Sequence, residues 1–244
     1  MSQQPFQFKK FKVHQDRCAM KIGTDGVLLG AWSSIEHEPK SILDIGAGTG
    51  VIALQLAQRS SASTIDAIEI DDQAHEQCTH NFEHSDWADR LFCYHASVQE
   101  FASEMEHKYD LIVSNPPFFK APKSTGSQTQ DTSQERAVAR FTDTLPFKHL
   151  VVCAAHLLSQ NGVFCTILPQ TEVASFIEIA AQNKLFISKI CTIRGTKTSK
   201  IKRCMLAFST RQSKPKTQEL TIEISRHNYT QDYKNLVRDF YVKM

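Results

Sequence analysis

Apolar residues along this chain gather in short continuous runs, and the segments between those runs are amphipathic at helical spacing. SILDIG (41–46), TIDAIEI (64–70), LFCYHA (91–96) and YDLIVSN (109–115) read as strands. VIALQLAQR (51–59), DQAHEQCTHNFEHS (72–85) and VQEFASEME (98–106) read as the helices between them. Further on, the pattern predicts a helix over 147–158, a strand GVFCTILP over 162–169, a helix over 172–182, and strands near 185–193 and 203–209. Strands that are apolar throughout and alternate with helices predict a mainly parallel sheet covered on both faces, an α/β fold. The connection GTKTSKIK is too short for a crossover, so the last two strands should form an antiparallel hairpin. Apolar or aromatic residues at 229, 233, 236, 237, 240 and 241 predict an amphipathic C-terminal helix.

A length of 244 residues, 41% of them hydrophobic and 22% charged, suits one domain over 1–244, with an N-terminal extension 1–40 and a C-terminal strand/helix attachment 211–244. No apolar run approaches the roughly 18 residues of a membrane span, and the N-terminus lacks the apolar block of a secretory signal. A cytoplasmic protein that engages no membrane is expected. Seven cysteines without a C-x-x-C pair read as reduced, mostly buried thiols. His75, His80 and His84 with Cys78 lack metal-ligand spacing and read as a solvated helix face, so no metal is expected.

The net charge of +2 hides an asymmetry: residues 179–218 hold ten Lys or Arg and no Asp or Glu, and the first 24 residues hold five basic residues against one acid. Such a distribution can present a basic stripe to nucleic-acid phosphates. It can equally be solvated lysine guarding strand edges.

Six of the nine glycines fall at 23, 26, 30, 46, 48 and 50. DIGAGTG, residues 44–50, joins the first strand of the alternating region to its helix, where Rossmann-type folds bring backbone against a ligand at a helix N-terminus. It is G-x-G-x-G, not the dinucleotide G-x-G-x-x-G. Glu69, at the end of the next strand, is placed to receive a ribose diol. With strand, helix and acid in register, the segment resembles the class I S-adenosylmethionine-dependent methyltransferases. The resemblance implies a Rossmann-like sheet of seven strands with an antiparallel last strand, and S-adenosylmethionine as cofactor. It also implies a methionine end held near Asp44, a turn of Gly46, Ala47, Gly48 and Gly50, a ribose on Glu69 beside Ile70, and an adenine near Ser97 and Val98. Ser97 stands where that family often has an acid.

SNPPFF (114–119) follows the fourth strand of that alternation. In a 3-2-1-4-5 sheet this corner lies at the topological switch point, facing the cofactor crevice. The Asn115 side-chain oxygen and the Pro116 carbonyl can accept both hydrogens of a planar amino group, aiming the nitrogen lone pair at an electrophilic methyl, while Phe118 offers a stacking face. NPPF resembles the [N/D/S]-P-P-[Y/F/W] motif of methyltransferases that act on such amines.

The segment FKKFKVHQDRCAMKIGTDGVLLGAW (8–32), followed by LDIGAGTG, IEID and SNPPFF, is similar to the bacterial tRNA (adenine-N6)-methyltransferases that modify adenosine 37 of valine tRNA1. The resemblance implies a tRNA partner and places Thr24 and Asp25 near the cofactor's methionine end; read as plain sequence, GTDG is a turn. Lys197, Lys200, Lys202 and Arg203 are the candidate phosphate contacts. The polar stretch 120–141 is long for a structureless connection and is expected to close over the target base. Nothing requires a second subunit, so a monomer is expected. Rival readings are a ribosomal RNA guanine-N2 methyltransferase, a protein glutamine methyltransferase, and a non-enzymatic RNA-binding protein with an idle cofactor pocket.

Overall fold

Pairing between the apolar strands sets the position of every other element. The computed structural model describes residues 4–117 and 146–243; Phe118 and the stretch 120–141 lie outside the described residues. Two short strands, β1 (Phe6–Gln7) and β2 (Lys12–Val13), pair with each other and precede α1 (Thr24–Trp32). The alternating region follows as β3 (Ser41–Ile45), α2 (Val51–Arg59), β4 (Thr64–Glu69), α3 (Asp72–Glu83), β5 (Leu91–His95), α4 (Val98–Glu104) and β6 (Tyr109–Ser114). Beyond residue 145 come α5 (Phe147–Leu157), β7 (Leu158–Pro169), α6 (Val173–Gln182), β8 (Phe186–Thr196), β9 (Ile201–Ser209), β10 (Lys216–Ser225), β11 (Asn228–Tyr229) and α7 (Gln231–Val237).

The main sheet runs β11-β10-β8-β9-β7-β6-β3-β4-β5. From β5 to β7 every pairing is parallel, while β9 is antiparallel to both β7 and β8, as the short hairpin connection predicts. The seven-strand expectation is exceeded, because the sheet continues through β10, parallel to β8, and β11. KTQELTIEIS alternates polar with apolar residues and covers what would otherwise be an open β8 edge. The C-terminal helix is shorter than its aromatic spacing predicts: Tyr229 ends β11, and the Thr230 hydroxyl caps α7 by accepting the Tyr233 amide at 3.2 Å.

Strand side chains divide strictly between two cores. Ile42, Leu111, Val113, Cys165, Ile167, Met205 and Ala207 meet α1, α2, α3 and α7 on one face. Leu43, Ile112, Phe164, Leu168, Leu206 and Phe208 meet α4, α5 and α6 on the other. Burial on both faces explains why these strands are apolar without alternation. Gly30 lets α1 lie close on α2, since a Cβ there would collide with the Gln55 side chain. The chain's two terminal regions are stitched together: Phe8 bridges Tyr241, their rings stack at 5.8 Å, and the Lys9 amide donates to the Phe240 carbonyl at 2.8 Å. All seven cysteines are free thiols. Among the described residues no helix is long and apolar enough to cross a membrane.

Candidate active site

A cavity of about 550 Å³ opens at the carboxyl ends of β3, β4 and β6. Its floor is the turn after β3. Gly46, Gly48 and Gly50 hold φ of 73°, 55° and 76°, a left-handed conformation that side chains other than hydrogen resist. Gly46 and Gly48 line the cavity, and a Cβ on either would meet nothing within 4 Å, so both leave clear the space a ligand needs. Gly50 serves packing instead, because a Cβ there would lie 2.6 Å from the Phe82 ring and 2.8 Å from Cys78 Sγ.

Glu69 closes one side. Its Oε2 accepts the Gly48 amide at 2.8 Å, and its Oε1 accepts the amides of Ile70 and Asp71 at 2.9 and 3.0 Å. The carboxylate thereby sets the turn's shape while one lone pair of Oε2 remains for a ligand hydroxyl. Ile70, exposed at the rim, and Val98, buried at the start of α4, give apolar walls. Ser97 lines the cavity between them and caps α4: its hydroxyl donates to Glu100 Oε2 at 2.7 Å and accepts the Glu100 amide at 3.2 Å. Glu100, one turn along, thus completes a capping box whose sequence signature is S-x-x-E.

Asp44, Ala47 and Gly50 stand behind the wall, not on it. The Asp44 side chain points under α2, where Oδ2 accepts the Ala53 amide at 3.2 Å and supplies the N-terminal cap that Gly50 cannot. Its Oδ1 is buried without a partner among the described residues. Burial pushes this carboxyl up to about 7; the Ala53 bond pulls it down and the Glu69 charge adds to the rise. The Asp44 carboxyl thereby supports the turn from behind.

Asn115, Pro116 and Pro117 form the opposite wall. Ser114 fixes this corner, its hydroxyl donating to the Ile45 carbonyl at 2.9 Å and so tying the ends of β6 and β3 together at the switch point. Thr24 and Asp25 are not on the cavity surface. GTDG is no turn but the start of α1, and a Cβ at Gly26 would touch Asn115 Nδ2 at 3.9 Å. Asp25 meets instead the residue expected to bind phosphate: Arg203 Nε donates to Asp25 Oδ2 at 2.8 Å. Lys197, Lys200 and Lys202 are exposed around the β8–β9 turn. That turn projects past the carboxyl edge of the parallel strands, since Arg203 pairs with Pro169 at the end of β7. The lysines and the cavity share one edge of the sheet.

Cys18, Ala19 and Met20 complete the cavity from the N-terminal segment, together with Ala96, Gln99, Pro146 and His149. Sequence patterning did not single them out for this wall. Among the described residues no group of three His, Cys, Asp or Glu is arranged to hold a metal ion.

Comparison with known proteins bears on the family and the fold. The methyltransferase small domain family matches residues 26–171. A Christiangramia forsetii tRNA1(Val) (adenine(37)-N6)-methyltransferase is 55% identical over the whole of both chains. A Yersinia enterocolitica protein of the same name is 39% identical over 97% of this chain and 92% of its own. Among solved structures, a predicted O-methyltransferase of Agrobacterium tumefaciens superposes with a TM-score of 0.66 at 16% identity, covering 88% of this chain and 96% of that one. At that identity the likeness concerns the fold alone.

Proposed function

This chain belongs to the tRNA1(Val) (adenine(37)-N6)-methyltransferase family, and from that membership we propose how its own residues carry the reaction. The protein transfers a methyl group from S-adenosylmethionine to N6 of adenine 37 in tRNA1(Val).

The residues present fit that cofactor: two glycines leave an open cradle, a carboxylate faces it, and apolar side chains flank it. When bound, S-adenosylmethionine supplies an electrophilic methyl on a sulfonium centre. We assign direct contact to Gly46, Gly48, Glu69, Ile70, Ser97 and Val98. Asp44, Ala47 and Gly50 hold the turn's shape, while Asp25 ties the first turn of α1 to Arg203 of β9. Ser97, polarised by Glu100, keeps one lone pair for an amino hydrogen.

Asn115 Oδ1 and the Pro116 carbonyl accept the two hydrogens of adenine N6. That pairing turns the nitrogen lone pair out of conjugation and towards the methyl. Neither oxygen acts as a strong base; the surplus proton passes to solvent once the C–N bond has formed. We assign base stacking to Phe118 and phosphate contacts to Lys197, Lys200 and Lys202. The observation that supports this scheme is the presence of Asn115 and Pro116 on the same cavity wall system as Gly46, Gly48 and Glu69. We propose a cytoplasmic protein, the compartment in which a tRNA substrate is met. We take the whole chain as one functional unit, because β10 and β11 extend the same sheet that carries the site, and we propose that it acts as a monomer.

Transfer of labelled methyl into separate pools of unmodified tRNA, ribosomal RNA, DNA and protein tests the reading. N6-methyladenosine at position 37 of tRNA1(Val) is expected, with turnover down by about 10²–10³-fold in Asn115→Ala. Label in ribosomal RNA or protein would overturn the substrate, and an unimpaired Asn115→Ala would overturn the role of the asparagine.

A further inference from the structure

One wall of the cofactor cavity comes from a segment with no secondary structure, and a helix on the far side of the glycine turn holds that segment in place. Residues 14–23 lie between β2 and α1 and present Cys18, Ala19 and Met20 to the cavity. Cys18 is buried near the Glu69 end: burial pushes its thiol up to about 12, with the Glu69 and Asp71 charges adding to the rise. A segment without a ladder of its own needs outside partners for its backbone groups.

Those partners are two side chains one turn apart on α3, Gln77 and Asn81, each only 2% exposed. Asn81 Oδ1 accepts the His14 amide at 2.9 Å, and its Nδ2 donates to the His14 carbonyl at 2.8 Å. The same Nδ2 donates to the Thr49 carbonyl at 2.9 Å, inside the turn between Gly48 and Gly50. Gln77 Oε1 accepts the Arg17 amide at 3.1 Å, and Arg17 reaches Glu76 at 2.9 Å. One buried amide group therefore engages the segment that walls the cavity and the turn that floors it.

We propose that Asn81, seconded by Gln77, is a positioning residue for S-adenosylmethionine, clamping the 14–23 segment onto the glycine turn so that wall and floor meet the cofactor together. The inference rests on the function proposed above. Neither side chain lines the cavity, so each acts through what it holds. Asn81→Ala removes support from both wall and floor. Gln77→Ala releases the wall alone, because its side chain holds Arg17 and not the turn.

Calorimetric titration of the full chain with S-adenosylhomocysteine, alongside methyl-transfer kinetics, tests this. Expected is a Kd raised about tenfold or more in Asn81→Ala and a smaller rise in Gln77→Ala. KM for S-adenosylmethionine should rise in both, with kcat retained at saturating cofactor, a split that general loosening of the fold would not produce. Should Asn81→Ala fail to fold, Gln77→Ala decides. A parent chain that binds while both variants match it overturns the clamp alone; a parent that binds no cofactor overturns the functional reading and the clamp with it.

Discussion

Arg203 Nε donates to Asp25 Oδ2 at 2.8 Å, joining the strand of the lysine-bearing hairpin to the first turn of the helix that backs Asn115. From sequence the two residues belong to different partners, cofactor and phosphate. Their charges meet each other first, and the half-buried setting makes the bond structural.

Asp25→Asn keeps the shape and removes the charge. Stability should fall by about 1 kcal/mol, seen as a melting temperature lower by about 2–4 °C for a domain of this size. A variant that melts with the parent would show that the bond does not hold α1 to β9.

The exposed lysines are then the groups we propose for phosphate recognition. Replacing Lys197, Lys200 and Lys202 together by Ala should reduce the slope of log affinity for tRNA against log salt by about 2–3, close to 0.9 for each phosphate that is no longer neutralised. Binding isotherms across a salt series give that slope directly. An unchanged slope would remove the hairpin from the RNA-binding face.

Gly48→Ala and Gly50→Ala separate two uses of a left-handed turn. Both incur a backbone strain of about 1–2 kcal/mol. Gly50→Ala also drives a methyl into Phe82 and Cys78, adding about 1–3 kcal/mol of overpacking. Gly48→Ala meets no protein atom, so its larger effect should be a raised KM for S-adenosylmethionine. Denaturant melts and cofactor titrations of both variants should therefore rank them in opposite orders.

Asp44 predicts a pH dependence. Its carboxyl titrates near 3.8 when unfolded and is pushed up to about 7 by burial in the folded chain. Between those values the folded state keeps a proton that the unfolded state has lost, so this group's contribution is full below pH 3.8 and declines until pH passes about 7. Asp44→Asn lacks that decline. Its stability relative to the parent should improve as pH rises through the window, read from paired unfolding curves at the two ends; a constant difference would mean that Asp44 stays ionised throughout.

Much of the fold was legible because strands buried on both faces are apolar throughout, and β3, β4 and β6 needed no tertiary information. The Asn-Pro-Pro corner was legible because prolines end a ladder at a place the topology makes important. β10 was not, since its lysine, glutamine and glutamate look like a loop until an open β8 edge offers pairing. α1 was hidden for the opposite reason: GTDGVLLGAW is buried almost all round, which leaves no polar face to set a period. Gln77 and Asn81 sit on a helix so rich in polar residues that it reads as solvated; only the neighbouring segment reveals that they are buried. Cys18 and Met20 reach the cavity through the folding of distant segments against each other, and local spacing carries no record of that.

Phe8 and Tyr241 pair across nearly the entire length of the chain. During synthesis Phe8 emerges long before Tyr241, its anchor. A ribosome-bound chain can assemble β3 to β6 and still have nothing at position 241 to seat Phe8. The β1–β2 pair that leads into the wall of the cofactor cavity therefore gains this support only after position 241 has been made, well behind the strands that carry the rest of the site.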